Sequence, residues 1–227
     1  MGYKAYLFDM DGTLIDNMGV HSQVWSEFLA GQGVSITPEE FYARAAGRTN
    51  AEILRQMIGP HLDESQLKSF AAQKETLYRQ RYQPIIRPMD GLPGFLHAAQ
   101  AQGIRMAVAS SAGRRNIDFH LSGLGLGDYF SALVGAEDVQ RGKPFPDLFL
   151  AAAERLETAP ADCLVFEDTP AGLEAARRAG IRAVALTTSY SADVLGQDPT
   201  VMHIAADYTS LSPRELDDLR AHSEPDA

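Results

Sequence analysis

Asp9 and Asp11 stand two residues apart in Leu7-Phe8-Asp9-Met10-Asp11-Gly12, directly after the apolar and aromatic run Ala5-Tyr6-Leu7-Phe8. That run reads as a buried strand. While the chain stays extended, residues two apart point to the same side, so the pair presents two carboxylates together before Gly12 lets the chain turn away. Such a pair is costly unless something neutralises it. A divalent cation with oxygen ligands would do so, and Mg²⁺ commonly takes one or two carboxylates and completes its shell with water and phosphate oxygens. The same residues would serve equally as a turn in which both Asp side chains cap backbone amides. Read alone, they leave both uses open.

Three later stretches also sit where apolar runs end: Ser110 in Ala107-Val108-Ala109-Ser110, Lys143 in Gly142-Lys143-Pro144-Phe145-Pro146-Asp147, and Glu167-Asp168 in Leu164-Val165-Phe166-Glu167-Asp168-Thr169-Pro170-Ala171-Gly172. Together with Asp9-Met10-Asp11-Gly12-Thr13, and in this order, they resemble the four motifs of the haloacid dehalogenase superfamily of phosphotransferases. The resemblance spans nearly the whole chain. Within the superfamily the chain looks most like the branch that contains β-phosphoglucomutase and small sugar-phosphate phosphatases.

That resemblance implies a chemistry for each residue. Asp9 is the nucleophile that takes the phosphoryl group, giving an aspartyl-phosphate. Asp11 protonates the leaving alkoxide and then takes a proton from the attacking water. Ser110 holds oxygens of the transferring group, and Lys143 offsets their charge in the transition state. Asp9, the main-chain carbonyl of Asp11, Glu167 and Asp168 form an oxygen-ligand Mg²⁺ site, with Asp168 binding directly and Glu167 directly or through water. Four carboxylates facing one lysine also favour a cation on charge balance. The expected substrate contacts are His21, Gly47, Arg48, Asn50, Ser111 and Arg114. His21 is followed four residues later by Trp25, in the first helix of an inserted cap.

The implied function is Mg²⁺-dependent hydrolysis of a small phosphorylated metabolite, a sugar or polyol phosphate, beneath a helical cap that excludes water. The alternative within the branch is a phosphosugar mutase, which needs a second anion site for its bisphosphate intermediate. At the positions where β-phosphoglucomutase carries basic residues for that purpose, this chain has Asn50 for an Arg, Ala46 for a Lys, and Ala112-Gly113 for a Ser-Lys pair. Arg48, Arg114 or Arg115 could rebuild the site from nearby positions. A phospho-accepting signalling domain also gathers acids around Mg²⁺, but such a module needs no helical insertion.

The elements that must position these residues follow from periodicity. Residues 17–87 carry helical spacing, as in Val20, Val24, Phe28 and Leu29, and again in Leu67, Phe70, Ala71, Lys74, Leu77 and Tyr78. Thr37 is the expected cap of a helix starting at Pro38, and Gly59-Pro60 is a helix stop. Residues 1–16 and 88–227 alternate strand and helix: strands at Ala5–Phe8, Ile104–Ala109, Ala132–Gly135, Cys163–Phe166 and Arg182–Leu186, a short one at His203–Ala206, and helices at Pro93–Gln102, Arg115–Leu121, Pro146–Leu156 and Ala171–Ala179. The class is therefore α/β, a Rossmann-like core with a central parallel sheet plus an inserted all-helical cap, with ligands at the strands' carboxyl ends. Residues 212–227 read as a polar tail with a short helix and a frayed end.

Composition narrows the partners. The 227 residues are 45% hydrophobic, enough for an ordinary core, and the formal net charge of −10 argues against nucleic acid. No stretch has the length of a membrane span or of a signal-peptide core, so a cytoplasmic monomer acting on a small phosphate ester, without a membrane partner, is expected. Cys163, the single cysteine, reads as a core residue. The dispersed histidines indicate no zinc site, and Gly123-Leu124-Gly125-Leu126-Gly127 follows a helix instead of a strand, so it reads as a helix stop and loop.

Overall fold

Both architectural periods of the sequence are realised. The computed structural model describes residues 2–45 and 49–223. After strand β1 (Ala5–Phe8) comes a helical stretch, α1 (Met18–Gly31), α2 (Pro38–Ala45), α3 (Asn50–Met57) and α4 (Glu64–Tyr82). The chain then alternates α5 (Leu92–Ala101), β2 (Arg105–Ala109), α6 (Arg114–Leu124), β3 (Ala132–Val134), α7 (Asp147–Arg155), β4 (Cys163–Glu167), α8 (Pro170–Arg178), β5 (Arg182–Leu186), α9 (Ala192–Leu195), β6 (Val201–Ala205) and α10 (Pro213–Ser223). Contacts divide it into two units, Met1–Asp16 with Arg87–Ala227, and Asn17–Ile86. No helix among the described residues is long and apolar enough to cross a membrane.

The strands form one parallel sheet in the order β3-β2-β1-β4-β5-β6. Strand order runs outward from β1 in one direction and from β4 in the other, and ligand crevices open at such a reversal, beyond the strands' carboxyl ends. The register fixes what stands there. Phe8 lies opposite Val108 on one side and Phe166 on the other, and Phe166 lies opposite Val184. The residues that follow, Asp9 and Glu167, therefore leave adjacent strands at the same level, with Ser110 beside them.

Packing holds that level rigidly. On one face Ala5, Leu7, Ala107, Val165 and Ala183 pack with Phe149 and Ala152 of α7 and Leu173 and Ala176 of α8. On the other, Phe8 and Phe166 stack with centroids 4.6 Å apart, and Phe95 and Tyr208 close the aromatic layer. Because both faces are covered, the strands read as apolar runs instead of alternating. Truncating a ring such as Phe166 to alanine would cost about 3–5 kcal/mol.

The helical unit has its own core, in which Trp25, Phe28, Phe41, Ile53, Leu54 and Leu67 meet. Three of its helix starts, those of α2, α3 and α4, are capped, the first at the expected Thr37. Thr37 Oγ1 accepts from Glu40 N while Glu40 returns the bond to Thr37 N, and Thr49 with Glu52 and Asp63 with Gln66 repeat the pattern. Each cap contributes about 1 kcal/mol.

Boundaries shift in a few places. α6 runs on to Leu124, one turn beyond the expected Leu121, with Gly123 inside it. The glycine that ends the helix is Gly125, at φ 66. β6 begins at Val201 instead of His203. The frayed end expected of the tail falls on residues 224–227, outside the described residues. Cys163 is buried in β4, and burial pushes its thiol up to about 12, as befits an inert core residue.

Candidate active site

The loops after β1 and β4 and the loop carrying Lys143 converge at the sheet's reversal point. Asp9 is buried, its backbone N–H bonded to the Phe166 carbonyl at 3.0 Å. Lys143 Nζ donates to Asp9 Oδ1, and to Glu167 Oε1 at 2.6 Å. Its side chain is only 7% exposed, so water does little of the work of balancing its charge. The ammonium also lies 5.0 Å from the centre of the Phe149 ring.

Glu167 is held at both oxygens. Oε2 accepts from the backbone N–H groups of Asp168 and Thr169, each at 2.7 Å, and from the Thr169 hydroxyl at 3.0 Å. These donors lie at the start of α8, where a carboxylate is favoured by unsatisfied N–H groups and the helix dipole. The position leaves no room behind it. A Cβ on Gly172, in the first turn of α8, would stand 1.8 Å from Glu167 Oε1 and 1.9 Å from its carboxyl carbon.

Asp168 is fully buried, and no donor among the described residues reaches its Oδ1. A buried, unsatisfied carboxylate oxygen is expensive in an apo protein, which is what a cation ligand looks like before the cation arrives. Asp9, Glu167 and Asp168 each offer an oxygen, all within 4.8 Å of one another. Asp11, half-buried on the turn, lies outside that trio. Gly12, at φ 83, passes so close to Asp168 that a Cβ there would stand 2.0 Å from Oδ2. The donor set is all oxygen and fits a hard divalent cation such as Mg²⁺.

Charge confirms the crowding. Burial, and behind it Glu167 and Asp11, push Asp9 up to about 7 against the opposing pull of Lys143. Asp168 is raised by burial and by the charges of Glu167 and Asp9. Burial alone would lower Lys143, but Asp9 and Glu167 more than reverse this and raise it. A site of this kind is poised to take up positive charge.

The other expected residues are placed as follows. Ser110 is buried beyond β2, and its hydroxyl accepts from Ala112 N at 3.0 Å while keeping a proton to donate. Ser111 is exposed. Arg114 opens α6, its backbone N–H capped by Glu137 and its exposed guanidinium paired with Asp118 at 2.8 Å, an engagement the sequence reading did not foresee. In the helical unit His21 stacks on Tyr78 with centroids 3.9 Å apart, and Lys74 Nζ lies 3.0 Å from His21 Nδ1. Lys74 thus occupies a place in the apolar series as a buried cation, against Glu75 at 2.9 Å and over the Trp25 and Tyr78 rings. Asn50 donates to the same Glu75 at 2.9 Å. Gly47 and Arg48 lie outside the described residues.

Sequence reasoning missed Gly172, the clamping role of Thr169, and the loop after β5. That loop was signalled by Thr187-Thr188-Ser189 directly following an apolar run, the setting shared by the four motifs. Thr188 Oγ1 donates to the Gly12 carbonyl and lies 3.4 Å from Asp168 Oδ2.

The chain is similar to known proteins in sequence and in fold. A family model for the haloacid dehalogenase-like hydrolases matches residues 3–180. A validoxylamine A 7'-phosphate phosphatase of Streptomyces hygroscopicus subsp. limoneus is 32% identical over 200 residues, covering 86% of this chain and 91% of that one. A fructose-1-phosphate phosphatase of Escherichia coli is 33% identical over 183 residues, covering 80% and 95%. The crystal structure of a haloacid dehalogenase-like hydrolase of family IA, variant 3, from Entamoeba histolytica superimposes with a TM-score of 0.89 at 26% identity, covering 95% and 98%.

Proposed function

The chain belongs to the haloacid dehalogenase-like hydrolases, and from that membership we propose that it is a Mg²⁺-dependent phosphatase of a sugar or polyol phosphate, working through an aspartyl-phosphate at Asp9. The observation that carries the reading is the burial of Asp9, Lys143, Glu167 and Asp168 together where the strand order reverses. Two of the similar proteins are named as phosphatases of validoxylamine A 7'-phosphate and of fructose 1-phosphate, and the second, a sugar phosphate, supports the substrate class.

In this reading an Asp9 oxygen forms a bond to phosphorus as the ester P–O bond breaks, and Asp11 gives its proton to the departing alkoxide. Water then attacks phosphorus, losing a proton to Asp11. The Asp9–phosphorus bond breaks and inorganic phosphate leaves. Lys143 offsets the charge on the transferring oxygens, and the Ser110 hydroxyl donates to one of them. Asp9, Glu167, Asp168 and the Asp11 carbonyl would hold Mg²⁺, which when bound supplies further positive charge to the phosphoryl oxygens and relieves the carboxylates of one another.

A panel of phosphate monoesters, with hexose 1- and 6-phosphates and polyol phosphates foremost, tests this by the phosphate released. One or more should be hydrolysed only with Mg²⁺ present. β-Glucose 1-phosphate with a trace of its bisphosphate should give phosphate and no glucose 6-phosphate, since Asn50, which stands where a mutase has an Arg, is bonded to the carboxylate of Glu75. Isomerisation much faster than phosphate release would sink the hydrolytic reading.

The cation also has a signature in stability. Asp9 is raised from an ordinary 3.8 to about 7. In the cation-free protein its contribution is therefore fully present below about 4 and is lost as pH rises through about 7. Mg²⁺ should offset that loss, so its effect on melting should be larger at pH 8 than at pH 6. At a hundredfold excess over the dissociation constant, about 2.7 kcal/mol is expected, a rise of roughly 5–10 °C. Equal melting temperatures with Mg²⁺ and with chelator at pH 8 would remove the case for the site.

A further inference from the structure

The loop after β5 carries none of the four motifs, yet it touches two of the site's loops at one atom. Thr188 Oγ1 donates to the main-chain carbonyl of Gly12, in the turn that follows Asp9 and Asp11, and lies 3.4 Å from Asp168 Oδ2. The fit around this hydroxyl is tight: a Cβ on Gly12 would meet Asp168 Oδ2 at 2.0 Å and the neighbouring Ser189 hydroxyl at 3.1 Å. Three loops, after β1, β4 and β5, therefore meet with no slack. A hydroxyl has one proton to give. Here the shorter contact is to the Gly12 carbonyl, and Asp168 Oδ2 lies within reach of the same hydroxyl as a second acceptor.

We propose that Thr188 is a positioning residue that sets the spacing between the Asp9–Gly12 turn and Asp168, and through that spacing the affinity of the site for its divalent cation. The proposal rests on the Mg²⁺ reading given above. Among the described residues the Thr188 hydroxyl bonds to Gly12 and Asp168 and to neither Asp9 nor Lys143, so the chemistry should persist once the cation is bound. Groups that orient metal ligands from behind typically change metal affinity by about 10–100-fold when removed.

The test is calorimetric titration of Mg²⁺ into the substrate-free protein, for wild type, Thr188→Val and Thr188→Ser. Val keeps the branched shape and loses the hydroxyl, whereas Ser keeps the hydroxyl and loses the methyl. Thr188→Val is expected to weaken Mg²⁺ binding by about 10-fold or more, with turnover at saturating Mg²⁺ within about threefold of wild type. Thr188→Ser should bind Mg²⁺ within about threefold of wild type, and Thr188→Ala, which also lacks the hydroxyl and should lose as much as Thr188→Val, carries the test if the Val variant does not melt cooperatively. Wild-type Mg²⁺ affinity in Thr188→Val would overturn the proposal while leaving the metal site standing. So would a loss in Thr188→Ser as large as in Thr188→Val, since the retained hydroxyl would then not be what sets the affinity. No Mg²⁺ binding by the wild type would overturn the metal reading and this proposal with it.

Discussion

Asp9→Asn should fold, melt cooperatively and turn over phosphate esters at least about 10³-fold more slowly than wild type. The amide has the shape of the carboxylate and can still accept a bond from Lys143, but it is a poor nucleophile and a poorer cation ligand. Its stability should not suffer in the absence of Mg²⁺. Burial and the neighbouring carboxylates already push Asp9 up to about 7, so removing its charge relieves the cluster. Steady-state kinetics beside a melting curve check both halves. Retention of more than about a tenth of wild-type activity would contradict the role given to Asp9.

Gly172→Ala is expected to be almost as damaging, for a reason that reverses the usual rule. Within a helix, alanine normally stabilises relative to glycine by about 0.5–1 kcal/mol. Here the new Cβ would stand 1.8 Å from Glu167 Oε1. The carboxylate is the far end of a flexible side chain, and it could move away were it not pinned by Asp168 N, Thr169 N, the Thr169 hydroxyl and Lys143. Moving it breaks hydrogen bonds to a charged group, at about 1.5–3 kcal/mol each. Catalytic efficiency should fall by about 10²-fold or more, and the variant should melt lower than wild type. The discriminating comparison is a double-mutant cycle with Glu167→Ala. Once the carboxylate is gone, Gly172→Ala should cost nothing and should raise the melting temperature. An equal loss in both backgrounds would show that Gly172 serves the helix and not Glu167.

These two positions illustrate what the chain discloses in advance. Asp9 was not singled out by its own stretch, since an apolar strand that ends in Asp-x-Asp-Gly serves equally as a capped turn; the three later motifs, following in order, are what made it legible as a candidate. The sheet was legible because strands covered on both faces become uninterrupted apolar runs, and one helical cap because Thr37 stands directly before Pro38 and three residues before Glu40; the caps at Thr49 and Asp63 repeat that spacing and were not read from the sequence. Gly172 and Thr188 act on Glu167 and Gly12 across a turn of helix in one case and 176 residues of sequence in the other. No periodicity records such contacts. Lys74 falls between, since it occupies an apolar position of α4. A cation there must find partners, and it does so in His21, Glu75 and two aromatic rings, but the sequence alone does not name them.

Whether Asp9 is the nucleophile is decided most directly by the stereochemical course at phosphorus. A hydrolysed ester remade as a phosphorothioate, chiral at phosphorus through sulfur and two oxygen isotopes and turned over in water carrying the third isotope, reports through the configuration of the released thiophosphate how many in-line displacements have occurred. Two displacements, to Asp9 and then to water, give net retention of configuration, and that is the predicted result. Net inversion would mean that water attacks the ester directly, and would contradict the aspartyl-phosphate mechanism.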